Sequence, residues 1–106
     1  MNNLKNIKEI LDSGTSEEKI KILESLSSTD NIEIIQKIIS KLDDDDIKVR
    51  GEAFSSLILN ENKISDLLIN SLGSQNKNIR GYAALVLSNR NDSSAIPEII
   101  KLTYDQ

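Results

Sequence analysis

Cysteine and histidine are both absent from the 106 residues, and these two gaps remove most of the usual catalytic chemistry. Without cysteine there is no disulfide, no thiolate nucleophile and no cysteine-ligated metal. Without histidine the commonest general base and the commonest zinc ligand are gone. Aromatic residues make up only 3%, so the core must be aliphatic, built chiefly from Ile and Leu. Apolar runs are a few residues long, as at Leu57 to Leu59, far too short to span a bilayer. Met1 to Leu11 carries polar and charged residues throughout and does not read as a signal peptide. The expectation is a cytoplasmic protein with no membrane partner.

What is present suits a folded chain. Hydrophobic residues make up 38% and charged residues 28%, and the length fits one domain. The net charge of −4 is unevenly placed: residues 1–46 hold six Lys against eleven Asp and Glu, whereas residues 47–106 hold seven basic against six acidic residues. A nucleic-acid-binding face needs a basic patch or stripe. Neither half has one by count, which argues against a nucleic-acid partner.

Sliding the chain by thirty residues exposes an internal repeat. Val49-Arg50-Gly51-Glu52-Ala53 falls on Ile79-Arg80-Gly81-Tyr82-Ala83, Leu57 on Leu87 and Asp46 on Asn76. The same shift lays Ile34, Ile38, Ile39 and Leu42 on Ile64, Leu68, Ile69 and Leu72. Val49, Ala53 and Leu57 recur every four residues, and Ile64, Leu67, Leu68 and Leu72 form a second helical stripe. Polar turn residues, Asn60-Glu61-Asn62 and Asn89 to Ser94, lie between the stripes. Each unit therefore reads as helix, turn, helix. A fainter unit precedes these, with Ile22 and Leu26 matching Ala53 and Leu57 at a shift of thirty-one, and Thr15 or Ser16 placed to cap its first helix. Leu4, Ile7 and Leu11 mirror Ile35, Ile38 and Leu42 and add half a repeat in front. The expectation is an all-α chain of seven helices near 2–12, 16–27, 31–43, 46–59, 62–73, 76–88 and 94–104. Pro97 falls in the first turn of the last, where its missing N–H costs little. The units are 1–13 (half repeat), 14–44, 45–74 and 75–106.

The segments Asp46 to Ala53 and Asn76 to Leu85 resemble the HEAT repeat, in particular its short bilin-lyase-like subclass. The resemblance covers essentially the whole chain, strongly over 44–106 and weakly before it, where Glu18-Lys19 stands in place of Val-Arg. It implies a right-handed alpha-alpha superhelix, an armadillo-like alpha solenoid of three hairpins and a half repeat. Small Ala53 and Ala83 suit close helix approach. Gly51 and Gly81 inside helices are costly, and their recurrence leads us to expect close packing or a bend there. By the resemblance, Arg50 and Arg80 form a structural ladder, pairing with an acidic side chain or turn carbonyls of an adjacent unit, with Asp46 and Asn76 as candidate partners.

Asp43-Asp44-Asp45-Asp46 invites a metal reading, but the spacing lacks the alternating ligands, glycine and distal glutamate of a calcium loop. Asp45 or Asp46 is expected to cap the next helix, with the others forming a solvated acidic edge. No metal, cofactor or catalytic residue is assigned. Glu17 and Glu18 read as first-turn charges, Tyr82 as an outer-surface contact residue, and Tyr104 as core. In HEAT-like solenoids second helices line the concave surface, which implies a protein-binding face of Glu33, Gln36, Lys37, Ser65, Asp66, Asn70, Glu98 and Lys101. Leu102 lies off the main stripe and offers a terminal face for a partner or a second copy. The expected function is a non-catalytic scaffold or interaction module binding a protein or peptide. The rival readings are an accessory or bilin-lyase-like enzyme subunit, a nucleic-acid-binding solenoid, and a homo-oligomer joined through terminal helices.

Overall fold

The computed structural model of the chain describes residues 4–90. Over them run six α-helices and no strand: α1 (Leu4–Ser13), α2 (Ser16–Ser25), α3 (Ile32–Ser40), α4 (Ile47–Leu59), α5 (Ser65–Ser71) and α6 (Lys77–Asn89), with a 3₁₀ turn at Lys41–Asp43. Four of the starts are fixed by side-chain caps, which satisfy helical N–H groups left without an i−4 partner. Thr15 and Glu18 form a reciprocal capping box before α2. Asn31 accepts from the Ile34 N–H at 3.0 Å, Asp46 from the Lys48 N–H at 2.8 Å and Asn76 from the Ile79 N–H at 3.0 Å.

Three helices stop two or more residues short of the spacing-based expectation. The helix expected over 62–73 is shorter, Ser65–Ser71. Asn62 is held in the preceding turn, where its N–H donates to Asn60 Oδ1 at 2.8 Å and its side chain donates to the Ser28 and Thr29 carbonyls. The helix expected over 31–43 ends at Ser40 and tightens into the 3₁₀ turn, closed by the Asp44 N–H on the Lys41 carbonyl at 3.1 Å. The α2 helix stops at Ser25, with the Leu26 N–H on the Leu23 carbonyl. The helix expected over 94–104, and with it Pro97, Leu102 and Tyr104, lies outside the described residues.

The contacts sort the helices into two layers: α1, α3 and α5 touch in succession, as do α2, α4 and α6, while α1–α2, α3–α4 and α5–α6 pack across. The core lies between them. Leu11, Leu23, Ile35, Ile38, Leu42, Val49, Leu57, Leu68, Val86 and Leu87 are all fully buried or nearly so, and each such side chain stabilises by about 1.5–3 kcal/mol relative to exposure. Ala53 and Ala83 have no exposed surface; a larger side chain there would hold neighbouring helices apart.

Gly51 and Gly81 do not serve close packing. A Cβ built on either would meet nothing within 4 Å, and both positions are exposed on their helices. Among the described residues no helix is long and apolar enough to cross a membrane.

Candidate interaction surface and inter-unit ladders

The residues expected to form a binding face separate into groups. Glu33, Gln36 and Lys37, on α3, line one open depression of about 300 Å³ together with Lys8 and Ser40. Two of them are already engaged: Glu33 accepts from Lys8 of α1, and Lys37 Nζ reaches Asp12 of α1 at 2.8 Å. Gln36 is exposed. Ser65 and Asp66 border a second depression with Glu61, Asn62, Lys63 and Arg90. Asn70 is exposed on α5 and lines neither. Glu98 and Lys101 lie outside the described residues.

Those α1–α3 pairs depress both carboxylates. The Lys8 hydrogen bond holds Glu33 below the usual carboxylate range, with the Lys8 charge adding to it. Asp12 is lowered chiefly by its hydrogen bond from Lys37, against a smaller burial effect. Lys8 and Lys37 are thus matched by carboxylates within the fold. No cluster of three or more Asp or Glu suited to a metal occurs among the described residues.

The expected ladder holds at Arg80, which meets a turn carbonyl of the preceding unit, but not at Arg50, and neither Asp46 nor Asn76 is the arginines' partner. Asp46 does not accept from Arg50; its carboxylate takes the Lys48 N–H at 2.8 Å, which chiefly lowers its pKa, with the nearby Ser16 side chain adding to the effect. Asn76 caps α6 and donates to Asp43 Oδ2 at 2.6 Å, with Asn78 donating to Oδ1 at 2.8 Å. Arg80 Nη1 donates to the Ser74 carbonyl at 2.8 Å. Arg50 has no side-chain partner among the described residues, and its Nε is buried without a hydrogen bond. The strong ion pair falls one unit earlier: Lys19 Nζ lies 2.8 Å from Asp44 Oδ2, their side chains only 15% and 6% exposed. Burial pushes the Asp44 carboxyl up, but hydrogen bonds from Lys19 and the Asp46 N–H, with the charges of Lys19 and Lys41, outweigh it and leave it lowered. Asp44 is therefore an internal ion-pair partner and not part of a solvated edge. Lys19 stands at the place of Arg50 and Arg80, a relation visible in the repeat offset but hidden by the change of residue type.

A second ladder, unmarked by any motif, joins the hairpin turns. Asn60 Nδ2 donates to the Thr29 carbonyl at 2.8 Å, and Arg90 Nη1 donates in turn to the Asn60 carbonyl, with Nη2 reaching Asn62 O at 3.2 Å. Thr29, Asn60 and Arg90 are equivalent positions at shifts of thirty-one and thirty. Buried Ser56 adds a link from α4 to the Leu23 carbonyl of α2 at 3.2 Å. Tyr82 is half-buried rather than a free outer contact, with its ring edge-on to Phe54 at 6.0 Å. No protein-family model, curated protein or solved structure matches the chain.

Proposed function

We propose that the chain is a HEAT-like helical-repeat module, coiled as a right-handed alpha-alpha superhelix in the cytoplasm, that binds a protein or peptide through its α1–α3–α5 layer without catalysing a reaction. The observation that carries this reading is the layered order of contacts, in which alternate helices line up side by side and units related by the thirty-residue shift bond through equivalent positions. Such stacking presents a broad surface fixed by many small links. On it, Gln36, Asp66 and Asn70 are exposed, while Lys8 and Lys37 are matched by Glu33 and Asp12. A surface of amides and balanced charge suits a polar protein segment better than a polyanion.

The test is crosslinking of the purified chain in extract of its native cell, beside a variant carrying Gln36→Arg, Asp66→Arg and Asn70→Arg. The reading expects a defined protein to be captured by the unaltered chain and lost by the variant, with circular dichroism unchanged. Equal capture by both would show that the layer is not the binding face. A covalent bilin adduct transferred to an acceptor protein would replace this reading with the enzymatic one.

A further inference from the structure

Among the described residues, five of the six helices are tied by side chains to another part of the chain, and α5 is not. The Lys8–Glu33 and Asp12–Lys37 pairs join α1 to α3. Lys19 joins α2 to Asp44, Ser56 joins α4 to the Leu23 carbonyl, and Asn78 joins α6 to Asp43. From α5 no side-chain hydrogen bond or ion pair reaches another element: Ser71 Oγ donates only to the Leu67 carbonyl of its own helix. It is also the shortest helix, with seven residues, and its start at Ile64 has no side-chain cap, unlike the starts of α2, α3, α4 and α6. A helix of fewer than about 12 residues is marginal by itself. What holds α5 is one apolar stripe, Ile64, Leu68 and Leu72, all buried. The turns on either side are fixed. Before α5, the Asn60 and Asn62 side chains donate to the Thr29 carbonyl at 2.8 and 3.0 Å. After it, Arg80 Nη1 donates to the Ser74 carbonyl at 2.8 Å and Ser74 Oγ accepts the Asn76 N–H at 3.1 Å. The helix therefore hangs between two anchored points.

We propose that α5 is a strap that opens and recloses by itself, between the turns at Asn62 and Ser74, while the other five helices stay folded. Its opening breaks no side-chain link to another element and frees the backbone of a short, uncapped segment, so it gives up less than the opening of any other helix. Asp66 and Asn70 ride on it, both exposed. Where the α1–α3–α5 layer is the binding face, a reading on which this consequence rests, α5 is the adjustable edge that a bound protein segment closes and orders. The opening itself belongs to the free chain.

The experiment is native-state amide hydrogen exchange of the intact chain, followed by NMR at urea concentrations below the unfolding transition. The amides of Leu68, Ile69 and Asn70 are expected to exchange about tenfold or more faster than those of Ala53 and Leu57 in α4 or Ala83 and Leu87 in α6, with little dependence on urea, since a local opening exposes little surface. Leu23→Val trims a fully buried side chain on α2, which stays folded when α5 opens. It is expected to speed exchange at the slowest amides of α4 and α6 about fivefold and to leave the α5 rates as they were. Should Leu23→Val fail to fold, the urea dependence in the unaltered chain decides. Amides of α5 as slow as those of α4 and α6, a urea dependence equal to theirs, or equal acceleration of all three helices in Leu23→Val overturns the proposal. Because exchange is read on the free chain, that failure leaves the binding face untouched, and a face that captures no protein leaves the opening standing.

Discussion

Gly51 and Gly81 occupy equivalent places on α4 and α6, where an added methyl group would meet no atom within 4 Å. A helical glycine costs about 1 kcal/mol relative to alanine through the freedom it leaves the unfolded chain. Gly51→Ala and Gly81→Ala are each expected to raise stability by about 0.5–1 kcal/mol, read as a shift of the urea midpoint at unchanged slope. Gly14 should respond in the opposite sense, since a Cβ there would lie 2.6 Å from the Ile10 carbonyl that its own N–H bonds at 2.8 Å. Gly14→Ala is expected to lose about 1 kcal/mol, and a gain would refute that steric account. The recurrence of Gly51 at Gly81 is visible in the sequence, but a repeated identity does not say whether a neighbour fills the space. Lys19 poses the converse case: its side chain and that of Asp44 are nearly buried, so removing Lys19 leaves Asp44 with only the Asp46 N–H and the more distant Lys41, at 4.0 Å. Lys19→Met, which keeps the aliphatic stem, is expected to cost about 2 kcal/mol, and adding Asp44→Asn should recover part of it. A double-mutant cycle with coupling near zero would exclude the pair as a stabilising contact.

At the scale of elements, the helices were legible because apolar spacing at i, i+3 and i+4 follows directly from burying one stripe, and Leu57, Leu68 and Leu87 are indeed nearly inaccessible. Helix ends were less legible, because turns are held by bonds between distant residues. Asn60 and Asn62 look like ordinary turn formers, yet they tie the α4–α5 turn to the Ser28 and Thr29 carbonyls. That tie delays α5 to Ser65. Asn60→Ala removes a buried donor and also the acceptor of the Asn62 N–H. It is expected to cost about 1–2 kcal/mol and to speed hydrogen exchange at the Asn62 amide more than at amides within α2 or α6. Uniform acceleration across all helices would mean that the turn has no local role. The candidate face was harder to read than the helices: exposure of Gln36, Asp66 and Asn70 follows from their polar side of the stripe, whereas the capture of Glu33 and Lys37 by α1 depends on which helices become neighbours.

For the molecule as a whole, acid is the condition that reaches the carboxylate links together, leaving the carbonyl links of Asn60 and Arg90 untouched. Asp12, Asp44, Asp46 and Glu33 are each held in the fold below their ordinary values of 3.8 for Asp and 4.5 for Glu. The unfolded chain therefore binds protons before the native one does as pH falls. Their contribution is fully present above the ordinary values and is lost as pH drops through the lowered native ones, so stability should be level from neutrality to about pH 5 and decline below it. The four carboxylates should not share the decline equally. Glu33 is 62% exposed beside Lys8, where water and salt screen the pair, whereas Asp44 joins α4 to α2 from a nearly closed position. Asp44→Asn is accordingly expected to lower stability at pH 7 and to flatten the acid limb, while Glu33→Gln leaves both nearly unchanged and raised salt imitates only the latter. Urea denaturation of the three proteins from pH 7 to pH 3 separates these cases: an acid limb flattened as much by Glu33→Gln as by Asp44→Asn would place the pH-sensitive link on the outer α1–α3 surface instead of at the junction between units.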